Sequence, residues 1–140
     1  MSRPRVLVVD DMAFEWEAAI KKLGPHCLLS RQRSGEAALK ELLHNSGDYD
    51  VLIVDYSMSN GNGFWLVAKM VQHKLEIPVL VNSQHSRGKA DMLALLRRAG
   101  VPCGTTRLTG SFGDPWLDVQ ALLLLGDESI GAQVSQNQEG

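Results

Sequence analysis

Short, unbroken apolar runs alternate along this chain with stretches whose apolar residues recur every three or four positions. Val6-Leu7-Val8-Val9 and Val51-Leu52-Ile53-Val54 are β-branched runs without a polar break. That is the pattern of strands covered on both faces in a parallel sheet. Trp16, Ala19, Ile20 and Leu23 fall at i, i+3, i+4 and i+7 and predict a first helix stopping near Gly24-Pro25. Cys27-Leu28-Leu29 is a short second strand. Ser34 then offers an N-cap to a second helix with the stripe Ala38, Leu39, Leu42 and Leu43. Asn45-Ser46-Gly47-Asp48 reads as a turn. Phe64, Val67, Ala68 and Val71 mark helix three, and Ile77-Pro78-Val79-Leu80-Val81 is the fourth strand. Met92, Leu95, Leu96 and Ala99 mark helix four, which ends at Gly100-Val101-Pro102. A fifth strand is expected near Thr105-Thr106-Arg107-Leu108. Asp114-Pro115 opens a fifth helix with an N-cap and a first-position proline, running to about Leu125 with Gly126 as its stop.

Five β-α pairs in succession predict an α/β fold, a doubly wound five-stranded parallel sheet with helices on both sides. The 140 residues suffice for one domain with its own core, assigned to 1–126. From 127 to 140 the chain turns polar, with Gln133, Gln136 and Gln138, and reads as a disordered tail or the start of a linker.

A net charge of −2 and scattered Lys and Arg give no phosphate-tracking stripe, so direct nucleic-acid binding is not expected. Cys27 and Cys103 have no CxxC spacing and read as reduced small hydrophobes. The basic start Met1-Ser2-Arg3-Pro4-Arg5 precedes only four apolar residues, too few for a signal peptide or a membrane span, so a cytoplasmic location is expected.

The chemistry sits where the apolar runs stop. Asp10-Asp11 closes the first and Asp55 closes the other, and ligand sites of such sheets lie beyond the carboxyl ends of their strands. If these strands are neighbours, three carboxylates converge. Two such charges about 5 Å apart repel by about 3 kcal/mol at an effective dielectric near 20. An all-oxygen cluster of this kind suits a hard cation, Mg²⁺ or Ca²⁺. Asp10-Asp11 taken alone would serve equally as acids at a helix N-terminus. His26, His44, His73 and His85 share no ligand spacing and read as surface or loop residues.

Four segments carry a resemblance. Arg5-Val-Leu-Val-Val-Asp-Asp11, Ser34-Gly-Glu-Ala-Ala-Leu39, Asp50-Val-Leu-Ile-Val-Asp55 and Pro78-Val-Leu-Val resemble the receiver domain of bacterial two-component response regulators, over roughly residues 3 to 125. The resemblance implies a flavodoxin-like (βα)5 sandwich. It also implies a phosphoprotein that takes a phosphoryl group, with Mg²⁺, from a histidine kinase or phosphotransfer protein. Asp55 would be the phosphoacceptor. Asp10 and Asp11 would hold Mg²⁺ together with Asp55 and the backbone carbonyl of Ser57. Ser83, five residues after Pro78, would bond the phosphoryl oxygens, and Arg107 stands where the family has lysine. Positioning and charge neutralisation are what phosphoryl transfer needs, and these groups supply both. No enzymatic action on other molecules is implied.

The departures are as informative. Met58 is followed by Ser59 rather than proline, and Asn60-Gly61-Asn62-Gly63 reads as a loose turn. Leu108 replaces the family's proline, and Gly104 stands where an aromatic switch residue is usual. Arg107 is planar and bidentate where lysine is a point charge. These changes keep open a degenerate receiver, acting as a phosphorylation-independent interaction or dimerisation module. A haloacid-dehalogenase-like phosphatase would need a second aspartate where Ser57 stands. In helix five, Leu117, Ala121, Leu124 and Leu125 form a stripe sufficient for packing on the sheet. Trp116, Val119, Leu122 and Leu123 add apolar surface. They predict either a deeply seated helix or a patch for a partner, possible homodimer formation included. A downstream target or a fused output domain would complete the signal path.

Overall fold

A computed structural model describes residues 3–125; the polar segment assigned to 127–140, and Gly126, lie outside the described residues. The strands are β1 (Arg5–Val9), β2 (Leu28–Gln32), β3 (Val51–Val54), β4 (Val79–Val81) and β5 (Cys103–Thr105). They form one parallel sheet in the order β2-β1-β3-β4-β5. The helices are α1 (Ala13–Leu23), α2 (Gly35–Asn45), α3 (Gly63–Gln72), α4 (Ser86–Arg98) and α5 over 115–125, with one 3₁₀ turn at Ser46–Asp48. This is the expected doubly wound, flavodoxin-like arrangement.

Strand pleating sorts the core into two layers. Leu7, Val9, Leu52, Val54, Val79 and Val81 point to one side and meet Ala38 and Leu42 of α2, Leu66 and Met70 of α3, and Met92 and Leu96 of α4. Val6, Val8, Val51, Ile53 and Leu80 point to the other and meet Ala19 and Leu23 of α1 and Val119 and Leu122 of α5. Every residue of β3, and all of β1 from Val6 onward, is buried. Two-sided burial is what their unbroken apolar sequence anticipated.

Ile20 and Leu43, assigned to the stripes of the first two helices, are exposed, and four further details differ from the sequence expectation. The edge strand β2 extends to Gln32 because it pairs with β1 along its whole length, from Arg5↔Leu28 to Val9↔Gln32. An edge needs no apolar run to do so, and its Arg31 and Gln32 are only half-buried. β5 occupies Cys103–Thr105, earlier than Thr105–Leu108, because Val79↔Cys103 through Val81↔Thr105 is the register that matches β4. In α3 the buried face is Gly63, Leu66, Val67 and Met70, and Phe64 is exposed. Gly63 fixes this rotation: it lies so close to the Asp55 carbonyl that a Cβ would collide with it. In α5 the two assigned faces exchange roles. Val119 and Leu122 are buried, whereas Leu117 and Leu124 are 58% and 60% exposed.

The register also aligns the strand ends. Val9 pairs with Val54 and Val54 with Val81. Asp55 N–H donates to the Val9 carbonyl (3.1 Å), Asn82 N–H to that of Val54 (3.0 Å) and Thr106 N–H to that of Val81 (3.0 Å). Asp10, Asp55, Asn82 and Thr106 therefore leave the sheet at one rim.

Candidate phosphoacceptor and metal site

Beyond that rim lies a cleft of about 550 Å³, lined among others by Asp10, Asp55, Ser57, Ser83, Arg107 and Phe112. One carboxylate oxygen from each of Asp10, Asp11 and Asp55 falls within 4.8 Å of the others. The convergence expected from sequence is thus present. Asp10 is buried, Asp55 half-buried and Asp11 exposed.

The electrostatics follow from that gradient of burial. Burial pushes the Asp10 carboxyl up to about 7, an N–H bond from Met12 partly offsets this, and the negative charges of Asp55, Glu15 and Asp11 add to it. That bond, Met12 N–H to Oδ1 (2.9 Å), ties Asp10 to the start of α1, where Met12 supplies no side-chain cap. Asp55 is also raised, first by burial, against the stabilising N–H of Ser57, the Ser83 hydroxyl and the N–H of Tyr56. Three crowded carboxylates, two of them raised mainly by burial, form a site that a small divalent cation would relieve. The donors are all oxygen, and no histidine or thiolate belongs to the cluster.

Ser83 stands at the end of β4, its hydroxyl toward Asp55; its Oγ also accepts from His85 N–H (3.1 Å). Arg107 follows β5 and lines the same cleft. Ser57 contributes its N–H to Asp55 and lines the cleft as well. All six residues singled out from sequence border one rim.

The turn read as loose is pinned. Gly35 N–H donates to the Gly61 carbonyl (2.9 Å) and Glu36 N–H to that of Asn60 (3.2 Å), so the loop after Asp55 caps α2. Asn62 Oδ1 accepts from Trp65 N–H (2.8 Å) and caps α3. Gly61 takes φ +85°, and a Cβ there would stand 2.8 Å from the Trp65 ring. Gly104 leaves a different mark. Where a ring would fill the space beside β5, a groove of about 440 Å³ runs past Leu80, Gly104, Ala121 and Leu125.

The family model for the response regulator receiver domain matches residues 6–101. The chain belongs to this family. Solved receiver domains share the fold at low identity. The Francisella response regulator 1452 receiver domain superposes with a TM-score of 0.70 at 21% identity, covering 89% of this chain and 99% of that one. A Clostridium thermocellum response regulator receiver domain protein gives 0.71 at 18%, covering 89% and 97%. A response regulator receiver protein from Pseudomonas putida gives 0.56 at 26%, covering 74% and 85%. Among curated protein sequences, none matches this chain significantly. No helix among the described residues of this receiver domain is long and apolar enough to cross a membrane.

Residues that sequence reasoning missed complete the surroundings. His85, read as a surface or loop histidine, caps α4: its Nδ1 accepts from Gly88 N–H (2.9 Å) while its ring stacks on Tyr56. Histidine is no favoured N-cap, so its type carried no signal. Glu15 offered one faint signal, standing one helical turn after Asp11, but nothing in sequence linked it to Asn82 and Thr109.

Proposed function

We propose that this receiver domain accepts a phosphoryl group on Asp55 and signals through protein contacts. The observation that carries the reading is the convergence of Asp10, Asp11 and Asp55 within 4.8 Å, beside a serine hydroxyl and an arginine-bearing strand end. A carboxylate oxygen of Asp55 attacks the phosphorus, and a P–O bond forms as the donor's bond to phosphorus breaks. With a kinase or phosphotransfer donor the phosphohistidine nitrogen leaves with the electron pair. Asp10, Asp11, Asp55 and the Ser57 carbonyl would hold Mg²⁺, which would supply charge neutralisation at the phosphoryl oxygens. Ser83 donates its hydroxyl to one of those oxygens, and Arg107 faces another.

The expected donor is a histidine kinase or phosphotransfer protein of a bacterial cytoplasmic two-component system. The expected recipient is a downstream protein or an output domain. The exposed stripe of Leu117, Ala121 and Leu124 on α5 is the surface we assign to a partner or to a second copy. The domain acts as a phosphoacceptor rather than as a catalyst on other molecules.

A second reading keeps the fold and drops the phosphate. The groove at Gly104 favours it, because no ring stands beside β5 to swing toward Ser83. Incubation with Mg²⁺ and acetyl phosphate separates the two. A mass gain of one phosphoryl group, absent in Asp55→Ala, supports the phosphoacceptor. An unchanged mass, with no spectral response to beryllofluoride and Mg²⁺, leaves the phosphate-independent module.

A further inference from the structure

The segment that carries Arg107 is fastened on both sides of that residue. Thr106 N–H donates to the Val81 carbonyl (3.0 Å) and its hydroxyl to Asp118 Oδ2 (2.8 Å). Leu108 N–H donates to Oδ1 of Asn82 (3.3 Å), and its side chain is fully buried. The Thr109 hydroxyl donates to Glu15 Oε1 (3.1 Å), and Lys22 Nζ reaches the Gly110 carbonyl (2.7 Å). Gly113 packs so tightly on the Arg107 carbonyl that a Cβ would collide with it. Arg107 itself is exposed and lines the cleft that holds Asp55.

The centre of this fastening is Asn82, a polar residue only 8% exposed at the end of β4. Its amide is used at both ends: Oδ1 takes the Leu108 N–H, and Nδ2 gives to Glu15 Oε2 (3.1 Å). Glu15 in turn spans Asn82 and Thr109 with its two oxygens. One closed bracket therefore joins α1, the end of β4 and residues 108–109. Buried polar groups satisfied in this way set a unique backbone path, and a side chain has one direction to point only if its backbone has one path. A proline at 108 would have no N–H to give, so this bracket needs a residue other than proline there.

We propose that Asn82 and Glu15, with Thr109, are positioning residues for Arg107, directing it into the cleft that holds Asp55 for phosphoryl transfer. The inference rests on the phosphoacceptor reading. Asn82 borders the same cleft, but its amide is committed to Leu108 N–H and Glu15, so it acts through the backbone of 108.

The test is the rate at which the full chain gains a phosphoryl group from acetyl phosphate with saturating Mg²⁺, followed by intact mass. Arg107→Ala and Asn82→Ala should each slow it about tenfold or more, since small misplacements of a charge-stabilising group cost that much. Combining them should slow it no further. Thr109→Val removes one hydroxyl with little change in shape, so it folds; it should lower the rate severalfold, and Thr109→Ser should restore it. Wild-type rates in Asn82→Ala and Thr109→Val would overturn the inference. So would slowing that multiplies with Arg107→Ala, because the bracket would then act independently of Arg107. A wild-type chain that gains no mass removes the phosphoacceptor reading, and this inference with it.

Discussion

The imidazole of His85 lies on the phenol ring of Tyr56, centroids 4.5 Å apart and 20° from parallel. This stack joins the residue after Asp55 to the start of α4. Gly88 is pressed against the same ring, where a Cβ would overlap it. The same imidazole accepts the Gly88 N–H, so one side chain both caps a helix and packs a loop. His85→Ala should lose both contributions, about 1–3 kcal/mol together. His85→Asn should recover the cap and lose only the stack. Urea unfolding of the three proteins checks the order wild type, then Asn, then Ala. An alanine variant as stable as wild type contradicts it.

The turn after Asp55 should be intolerant of side chains at one position. Gly61 has φ +85°, and a Cβ there would stand 2.8 Å from the Trp65 ring. Gly61→Ala should cost about 2–3 kcal/mol through backbone strain and displacement of Trp65. Gly47, where a Cβ would meet open space, is the control. Gly47→Ala should change stability by less than about 1 kcal/mol. Chemical denaturation of both variants reads the contrast.

Asp10 should make the metal-free protein sensitive to pH in a defined direction. Its folded-state carboxyl is pushed up to about 7 from an ordinary 3.8, mainly by burial. A raised carboxyl favours the protonated folded state. Its contribution to stability is complete below about 3.8 and is lost as pH rises through about 7. Asp10→Asn escapes that loss. Without divalent ions it should match wild type near pH 4 and exceed it by about 2–4 kcal/mol at pH 8. Millimolar Mg²⁺ should narrow the gap at pH 8 by stabilising only the wild type, since binding favours the ionised carboxylate. Thermal or urea unfolding at both pH values measures this. A gap independent of pH would mean Asp10 is not held neutral by burial.

Sequence and structure agree where burial is two-sided and diverge where it is one-sided. Val6–Val9 and Val51–Val54 have no polar alternative face, so their strands, and the acids that close them, were legible from residue type alone. The convergence of Asp10 and Asp55 needed only the neighbourhood of β1 and β3, which their Val9↔Val54 pairing supplies. Helices α3 and α5 carry apolar residues on more than one face, and periodicity cannot choose between such faces. Gly63 against the Asp55 carbonyl decides the first, and the seating of Val119 and Leu122 on Ile53 and Leu80 decides the second. The Asn82–Glu15–Thr109 bracket spans separations of 26, 67 and 94 residues, beyond any local pattern.

The exchanged faces of α5 make the last prediction. Leu122 is 3% exposed in the layer with Leu23 and Ile53, whereas Leu124 is 60% exposed. Leu122→Ala should cost about 2–4 kcal/mol, through lost burial and a cavity that the layer cannot fill. Leu124→Ala should leave the unfolding free energy of the monomer within about 0.5 kcal/mol. Leu117 and Leu124 are seven positions apart, two turns along one face, and Ala121 between them is exposed too. A charge at either leucine removes apolar contact without touching the core. If a second copy covers this stripe, Leu117→Glu and Leu124→Glu should each shift sedimentation from dimer to monomer at unchanged helix content. Equal costs for Leu122→Ala and Leu124→Ala would show that the helix is rotated from the orientation described, and the stripe would lose its claim as a surface.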